Sequence, residues 1–268
     1  MTGSRSRSLR WRVVAYAVAG AVLAAAPGAH ATRNDPDCPG IRPGAVMWPE
    51  KEQYYETSWN FILSGSDGGT YTLIDGYALT TRPQFSVQNS TGVHVERTWS
   101  QSKGPGVTDA SRRVVGRAVW YAQDGSEQFA LIRLDRGKRW SSAVCAYGQP
   151  TSIDLTLDDA PTFISIYGQG NDRRTRTQTD LLPQGRFAAD WVTKMIPVTS
   201  GDWSAPVLSG DNQALGFLGH VAGANGRDAE HMLGPGGWVF RLQPLMQRSG
   251  AKLGIKLALE RRPQGTAK

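Results

Sequence analysis

The stretch Ser200-Gly201-Asp202-Trp203-Ser204-Ala205-Pro206 is the part of this sequence that decides its fold. Glycine, aspartate and proline favour tight turns, because each supplies either an unusual backbone angle or a local hydrogen bond. The stretch is therefore predicted to form a turn with Trp203 at its centre. An indole has no hydroxyl that could attack a carbonyl, so Trp203 cannot act as a nucleophile.

Short strand-like runs surround this turn in both directions along the chain. They are separated by turn residues and cover residues 59–63, 71–74, 114–121, 129–134, 163–167, 191–196, 206–208 and 214–221. The glycine-rich residues 65–69 predict a hairpin between the first two runs. Many short strands at near-regular spacing favour an all-β barrel or sandwich over a fold of alternating strands and helices.

One helix is predicted near the C-terminal end of the sequence. Pro244 can lie in its first turn and Gly254 can cap its end. Its partial apolar face comprises Leu245, Met246 and Leu253. Apolar residues then alternate over residues 255–259, which predicts a final strand.

The first 31 residues have the pattern of a secretory signal peptide. Four arginines precede an apolar run at residues 13–26, and Ala29-His30-Ala31 forms a small-x-small cleavage site. The apolar run is shorter than the ~20 residues that a membrane-spanning helix needs. We therefore expect a secreted, extracellular protein that does not stay inserted in a membrane after the signal is removed.

Removal of the signal changes the charge of the chain. The whole sequence has 30 Lys+Arg and 23 Asp+Glu residues, a net charge of +7, and the four signal arginines account for more than half of it. The mature chain would keep a net charge of +3 without a clustered basic face. Nucleic acid is therefore not an expected partner.

The two cysteines, Cys38 and Cys145, are predicted to form a disulfide, because an even pair in an exported protein is more often bridged than free. Such a bridge closes a loop of about 100 residues and stabilises by up to ~4.7 kcal/mol in the chain-entropy model. A metal site is not expected, since His94, His220 and His231 are scattered and there is no Cys-x-x-Cys pair. No cofactor is expected either.

Three segments of the chain together resemble the trypsin/chymotrypsin-like serine proteases, in particular their secreted bacterial members. Residues 200–206 are similar to the family's Gly-Asp-Ser-Gly-Gly-Pro loop, with Trp203 at the nucleophile position. Residues 74–79 are similar to the segment that carries the family's histidine, with Tyr77 in its place. Residues 128–135 are similar to the segment that begins with the family's aspartate, with Gln128 in its place. Two weaker similarities, at residues 144–150 and 254–259, extend the resemblance over roughly residues 38–260.

The resemblance implies a trypsin-like double antiparallel β-barrel with a short C-terminal helix. The N-terminal barrel would cover residues 32–135, the C-terminal barrel and helix residues 136–260, and a tail residues 261–268. It also implies that Tyr77, Gln128 and Trp203 meet at the cleft between the barrels. By carry-over, the backbone amides of Gly201 and Trp203 would form an oxyanion hole, and Asp202 would shape that loop.

The three replacements remove what the catalytic triad needs. A tyrosine phenol, with an ordinary pKa of about 10, is a poor base at neutral pH. Gln128 has no charge to stabilise an imidazolium, and Trp203 cannot form an acyl-enzyme. The sequence therefore predicts a catalytically inactive homologue, a pseudoprotease, that binds a peptide or protein.

Two alternatives stay open from the sequence. One is an active serine hydrolase that uses a non-standard pair, Ser204 with His220. The other is a secreted structural or cell-envelope interaction protein in which the cleft has no role. Two interpretations of the predicted oxyanion hole also stay open. It could bind a carboxylate or a peptide carbonyl. Alternatively, Trp203 could project into the cleft and close it, and we favour this interpretation.

Overall fold

The computed structural model describes residues 38–51, 56–79, 94–100, 103–124, 127–153, 163–169, 174–177, 179–181, 189–193, 200–219 and 238–261. All of them belong to one compact unit, Asn34–Lys268. The predicted signal segment, His220 and His231 lie outside the described residues. Within them, secondary structure is mostly β, as predicted.

The first sheet contains the strands from the N-terminal half of the chain and one strand from its C-terminal end. They are β1 Val46–Pro49, β2 Thr57–Ser58, β3 Ile62–Gly65, β4 Thr70–Asp75, β5 His94–Thr98, β6 Gly106–Thr108, β7 Val114–Asp124, β8 Glu127–Leu134 and β16 Leu257–Leu259. Their order is β16-β3-β4-β8-β7-β6-β1-β2, and β5 pairs with β7 beside this path. Every pairing is antiparallel.

The second sheet is built from the C-terminal half of the chain. Its strands are β9 Ile164–Tyr167, β10 Arg174–Thr177, β11 Thr179–Leu181, β12 Ala189–Thr193, β13 Pro206–Ser209, β14 Ala214–Gly219 and β15 Trp238–Arg241. Their order is β10-β9-β13-β14-β15-β12-β11, again antiparallel throughout. Two curled antiparallel sheets with one short helix fit the double β-barrel expected from the sequence.

The last strand, β16, does not lie in the sheet in which the sequence-based domain boundary placed it. The sequence placed residues 136–260 with the second barrel, but β16 pairs with β3, with Leu257 opposite Gly65 and Leu259 opposite Leu63. The backbone amide of Glu260 continues this pairing by donating to the carbonyl of Ile62 at 2.9 Å. The C-terminal end of the chain therefore completes the edge of the first sheet.

The predicted helix, α1, covers Leu242–Leu253 and follows β15 directly. Its buried side includes Leu242, Leu245 and Met246. Gly254 ends it in the left-handed conformation at φ 68°, where a residue without a Cβ is favoured. No helix among the described residues has the length and hydropathy to cross a membrane.

Glu96 on β5 attaches this helix to the first sheet. Its carboxylate accepts a hydrogen bond from the indole N–H of Trp120 at 2.7 Å and pairs with Arg248 at 3.6 Å and Lys252 at 3.3 Å. Burial raises the pKa of Glu96, but the Trp120 and Lys252 hydrogen bonds and the charges of Arg248 and Lys252 together lower it below its ordinary value.

An aromatic cluster joins the two sheets. The ring of Phe129 on β8 packs edge to face on Phe240 of β15, with centroids 4.8 Å apart, and on Phe217 of β14 at 6.4 Å. All three rings are fully buried. The cluster therefore holds the two sheets together next to Gln128, because Phe129 directly follows Gln128 in β8.

The predicted disulfide between Cys38 and Cys145 is confirmed. The two residues are buried, their Cα atoms are 5.5 Å apart, and they are 107 residues apart in the sequence. The bridge ties the start of the described chain to the segment between the two sheets.

Candidate functional site

Tyr77 lies on a short 3-10 turn at the end of β4. The turn covers Gly76–Leu79. The carboxylate of Asp75, the last residue of β4, accepts a hydrogen bond from the Tyr77 amide at 2.9 Å. This is the usual way in which an aspartate satisfies the free amides at the start of a turn. The side chain of Tyr77 is half-buried.

The turn that carries Tyr77 packs directly on Gln128. A Cβ atom placed on Gly76 would lie 3.0 Å from the carbonyl carbon of Gln128 and 2.9 Å from the ring of Tyr121. Both distances are too short for a side chain, so glycine is the residue that permits this close approach. The positions of Tyr77 and Gln128 are therefore neighbours in the structure.

The side chain of Gln128 is buried in a polar cluster behind the turn. Its Oε1 atom lies 3.0 Å from the hydroxyl of Tyr121, which also lies 3.1 Å from Oε1 of Gln123. Burial, and after it the negative charge of Asp75, raises the pKa of Tyr121 above its ordinary value. The phenol therefore stays protonated, and its single proton is shared between the two glutamine oxygens.

The loop that carries Trp203 is held by three residues from other parts of the chain. The carbonyl of Trp203 accepts hydrogen bonds from the hydroxyl of Thr57 and from the amide of Ser58, the latter at 2.9 Å. The carbonyl of Gly201 accepts from the Ser58 hydroxyl at 2.9 Å and from the Gln169 amide at 3.1 Å. Strand β2 and the end of β9 thus fix the backbone of this loop.

The side chains of Tyr77 and Trp203 meet. Their ring centroids are 5.3 Å apart and their planes are perpendicular. Both residues are half-buried. The structure therefore brings together the three positions of Tyr77, Gln128 and Trp203, with two aromatic rings in front and the amide side chain behind.

Ser204 serves as a link between the two sheets. Its side chain is 0% exposed, its hydroxyl oxygen accepts a hydrogen bond from the Asp75 amide at 2.9 Å, and it lies 3.3 Å from the hydroxyl of Thr57. The Thr57 hydroxyl therefore lies next to both the Ser204 hydroxyl and the Trp203 carbonyl. Ser204 also has a left-handed backbone, with φ 63°.

The loop begins with a second 3-10 turn, Ser200–Asp202. In a 3-10 turn each amide donates to the carbonyl three residues earlier. This geometry directs the amide of Trp203 back toward the carbonyl of Ser200, and it leaves the amide of Gly201 at the start of the turn. The two amides proposed for the oxyanion hole are thus not equivalent.

Asp202 is buried beside Gly168, the residue that follows β9. It is 6% exposed, and a Cβ atom added to Gly168 would clash with its carboxylate oxygen. The Trp203 loop therefore passes close to the segment that follows β9. The loop-shaping role that the sequence suggested for Asp202 stays a prediction.

Comparison with solved structures identifies the fold. A glutamic-acid-specific serine protease aligns with a TM-score of 0.54 and 13% identity over 82% of this chain and 100% of that chain. The chain has the trypsin-like fold. Nocardiopsis protease aligns with a TM-score of 0.46 and 15% identity over 81% and 98% of the two chains. An inactive form of a protein from M. tuberculosis H37Rv aligns at 0.43 and 14% over 79% and 87%. No protein-family model and no curated protein matches the sequence.

Sequence reasoning missed four residues that build this candidate site: Thr57, Ser58, Asp75 and Gln169. The sequence contained a local signal for Asp75, because an aspartate just before a glycine often starts a turn. It contained no such signal for Thr57, Ser58 and Gln169, which lie far from Trp203 in the sequence. No group of three His, Cys, Asp or Glu side chains suited to a metal ion occurs in the described part of the chain.

Proposed function

We propose that this chain is a secreted pseudoprotease, which uses the cleft of a trypsin-like fold to bind a peptide or protein segment without hydrolysing it. The observation that carries the proposal is the contact between Tyr77 and Trp203, whose rings pack edge to face at 5.3 Å. In the resemblance drawn from the sequence, these are the positions of the base and the nucleophile. Neither side chain can perform those steps near neutral pH.

The surroundings of Ser204 argue against the alternative hydrolase. A nucleophile needs access to the scissile carbonyl and a base that takes its proton. Ser204 is fully buried, its oxygen accepts a hydrogen bond from the Asp75 amide, and its hydroxyl lies 3.3 Å from the hydroxyl of Thr57. These contacts suit a structural hydroxyl.

The aromatic pair supports a binding role. Tyrosine and tryptophan are the side chains that most often dominate the binding energy of an interface, because they bury a large rigid surface. Here the loop of Trp203 is held by hydrogen bonds from Thr57, Ser58 and Gln169. A surface that is already fixed loses little entropy when a ligand binds.

Secretion is part of the proposal. The signal pattern of residues 1–31 and the disulfide between Cys38 and Cys145 support it, because disulfides persist in oxidising compartments.

The test uses the mature chain with its disulfide intact. We expect no labelling by a fluorophosphonate probe, and we expect enrichment of peptides from a random heptapeptide phage library. Enrichment should be lost with Trp203→Leu. Phe163→Leu is a matched control: Phe163 is 43% exposed and precedes β9, at the opposite end of that strand from Gln169.

Three results would count against the proposal. Labelling that Ser204→Ala abolishes would establish the hydrolase instead. Enrichment that is unchanged by Trp203→Leu would move binding to another surface. A library from which the wild type enriches no peptide at all would favour a structural or cell-envelope role in which the cleft takes no part.

A further inference from the structure

We propose that one end of the first sheet binds an anionic polysaccharide that carries sulfate or phosphate groups. This basic end comprises two turns: the turn that joins β6 to β7, residues 109–113, and the turn that follows β8, residues 135–139. Neither turn belongs to the cleft, so the proposed site is independent of peptide binding.

The turn that follows β8 presents three cations. The Lys138 amide donates to the Asp135 carbonyl at 3.3 Å, and Gly137 has the positive φ, 78°, that this tight turn uses. Arg136 and Arg139 are exposed, and Lys138 is half-buried. Among the described residues none of these three cations forms an ion pair. Asp135 supplies one carboxylate against them, so the turn keeps a net positive charge.

The pairing of β7 with β8 brings the second basic turn to the same end of the sheet. The Asp135 amide donates to the Val115 carbonyl at 2.9 Å, which continues the antiparallel pairing of the two strands beyond the end of β8. Residues 109–113 directly precede β7 and therefore lie beside residues 135–139. The two turns are far apart in sequence, which is why the sequence showed no clustered basic face.

The second turn adds two arginines whose positions are fixed. Arg113 pairs with Asp109 at 3.2 Å, yet its side chain is 75% exposed. The guanidinium of Arg112 lies 3.5 Å from the centre of the Trp48 ring, and the negative charge of Glu56 acts on it. Both groups are therefore held at the surface beside the uncompensated turn.

The cations of the basic end suit oxyanions repeated along a chain. Four of the five are arginines, Arg112, Arg113, Arg136 and Arg139, and a planar guanidinium donates two parallel hydrogen bonds to a phosphate-like group. Because they lie on two separate turns, a ligand with several anionic groups can contact both turns at once and gains affinity from doing so.

The surroundings favour a polysaccharide over nucleic acid or a membrane. Proteins that bind single-stranded nucleic acid stack bases on aromatic rings, and basic segments that bind membranes carry an exposed apolar face. Trp48 is only 4% exposed and lies under Arg112. The exposed large apolar side chain of the described residues is Phe163, which belongs to neither turn.

The experiment measures binding of the mature, oxidised protein to immobilised dextran sulfate and phosphomannan by biolayer interferometry, with neutral dextran as the reference. We expect binding to at least one of the two anionic polymers, weakening as sodium chloride is added, and no binding to neutral dextran. The anionic polymer that binds more tightly identifies the preferred anion.

Variants locate the site. Arg136→Gln with Arg139→Gln should weaken binding about 3- to 30-fold, the effect of two exposed ion pairs. Arg113→Gln added to this pair should weaken it further. Lys103→Gln with Arg261→Gln is the matched control, because it removes the same charge from exposed positions outside the two turns and should bind within about 2-fold of the wild type.

Trp203→Leu separates the basic end from the cleft and should bind dextran sulfate as the wild type does. Asp135 lies seven residues after Gln128, about 23 Å along an extended strand, so the two sites are far apart on β8. Circular dichroism and thermal unfolding establish that each variant is folded.

Four results would overturn the inference. The first is a lack of binding to both anionic polymers, and the second is an equal loss in the control pair, which would reduce the effect to net charge. The third is an Arg136→Gln, Arg139→Gln protein that binds like the wild type. The fourth is tighter binding to a single-stranded oligonucleotide or to phosphatidylglycerol vesicles than to either polymer.

Discussion

Replacing Ser204 with alanine removes the hydroxyl that ties the Trp203 loop to strand β4. The change deletes one oxygen, adds no bulk and leaves the backbone amides in place. In the wild type that oxygen accepts the Asp75 amide at 2.9 Å and lies 3.3 Å from the Thr57 hydroxyl, in a site with no exposed surface. Alanine has no side-chain acceptor for the Asp75 amide.

The expected loss of stability follows from the unmatched amide. A buried donor left without a partner costs about 1–3 kcal/mol, so Ser204→Ala should lower the free energy of unfolding by that amount. Ser204→Gly loses the same hydroxyl, but glycine adopts the left-handed backbone at φ 63° without steric strain. A residue with a Cβ atom pays about 1–2 kcal/mol for this backbone conformation. The glycine variant should therefore be more stable than the alanine variant by about 1 kcal/mol.

Denaturant unfolding of the oxidised mature protein measures both values by linear extrapolation. Ser111→Ala, at an exposed position, is the matched control and should stay within about 0.5 kcal/mol of the wild type. An alanine variant at 204 that is equally unaffected would refute the linking role of this hydroxyl. A glycine variant no more stable than the alanine variant would refute the backbone part of the reasoning.

Three further outcomes are expected. Phe129→Ala should lower the free energy of unfolding by about 3–5 kcal/mol, since its ring packs between the two sheets, and a loss below about 2 kcal/mol in guanidinium unfolding would contradict that. The pKa of Glu96 is lowered in the folded protein, so its stabilisation is present above the pKa of an unfolded glutamate and is lost as the pH falls through the folded-state pKa. The destabilisation by Glu96→Gln, measured by urea unfolding at a series of pH values, should therefore shrink as the pH falls below the ordinary pKa of glutamate. Trp203→Ser alone should give no peptidase activity against casein or chromogenic peptides, because Tyr77 and Gln128 still supply no base and no counter-charge; measurable hydrolysis would show that these two positions are misassigned.

Local patterns were sufficient to predict much of this fold. The hairpin of β3 and β4 and the helix α1 follow from turn residues and apolar spacing within a dozen residues, and Gly254 adopts the left-handed backbone that its place after the helix suggested. The disulfide was predicted from the cysteine count together with the predicted signal segment. Each of these signals lies in a short window of the chain or in its composition.

The rest of the site depends on contacts that no short window contains. Ser204 and Asp75 are 129 residues apart, and nothing in either neighbourhood pairs a serine hydroxyl with that backbone amide. The same holds for Ser58 and Gly201, which are 143 residues apart. The sequence identified the residues at the front of the site through a family resemblance, but the hydrogen bonds that hold them require the three-dimensional packing.

The pairing of β16 with β3 has a consequence for the order in which this protein folds. The edge of the first sheet is completed by residues 257–259, almost two hundred positions after the strand they join. During synthesis at ~5–20 residues per second, β16 emerges from the ribosome about 10 to 40 seconds after β3. Pairing across such a distance in sequence is intrinsically slow, so we expect β16 to be among the last strands to pair in the first sheet.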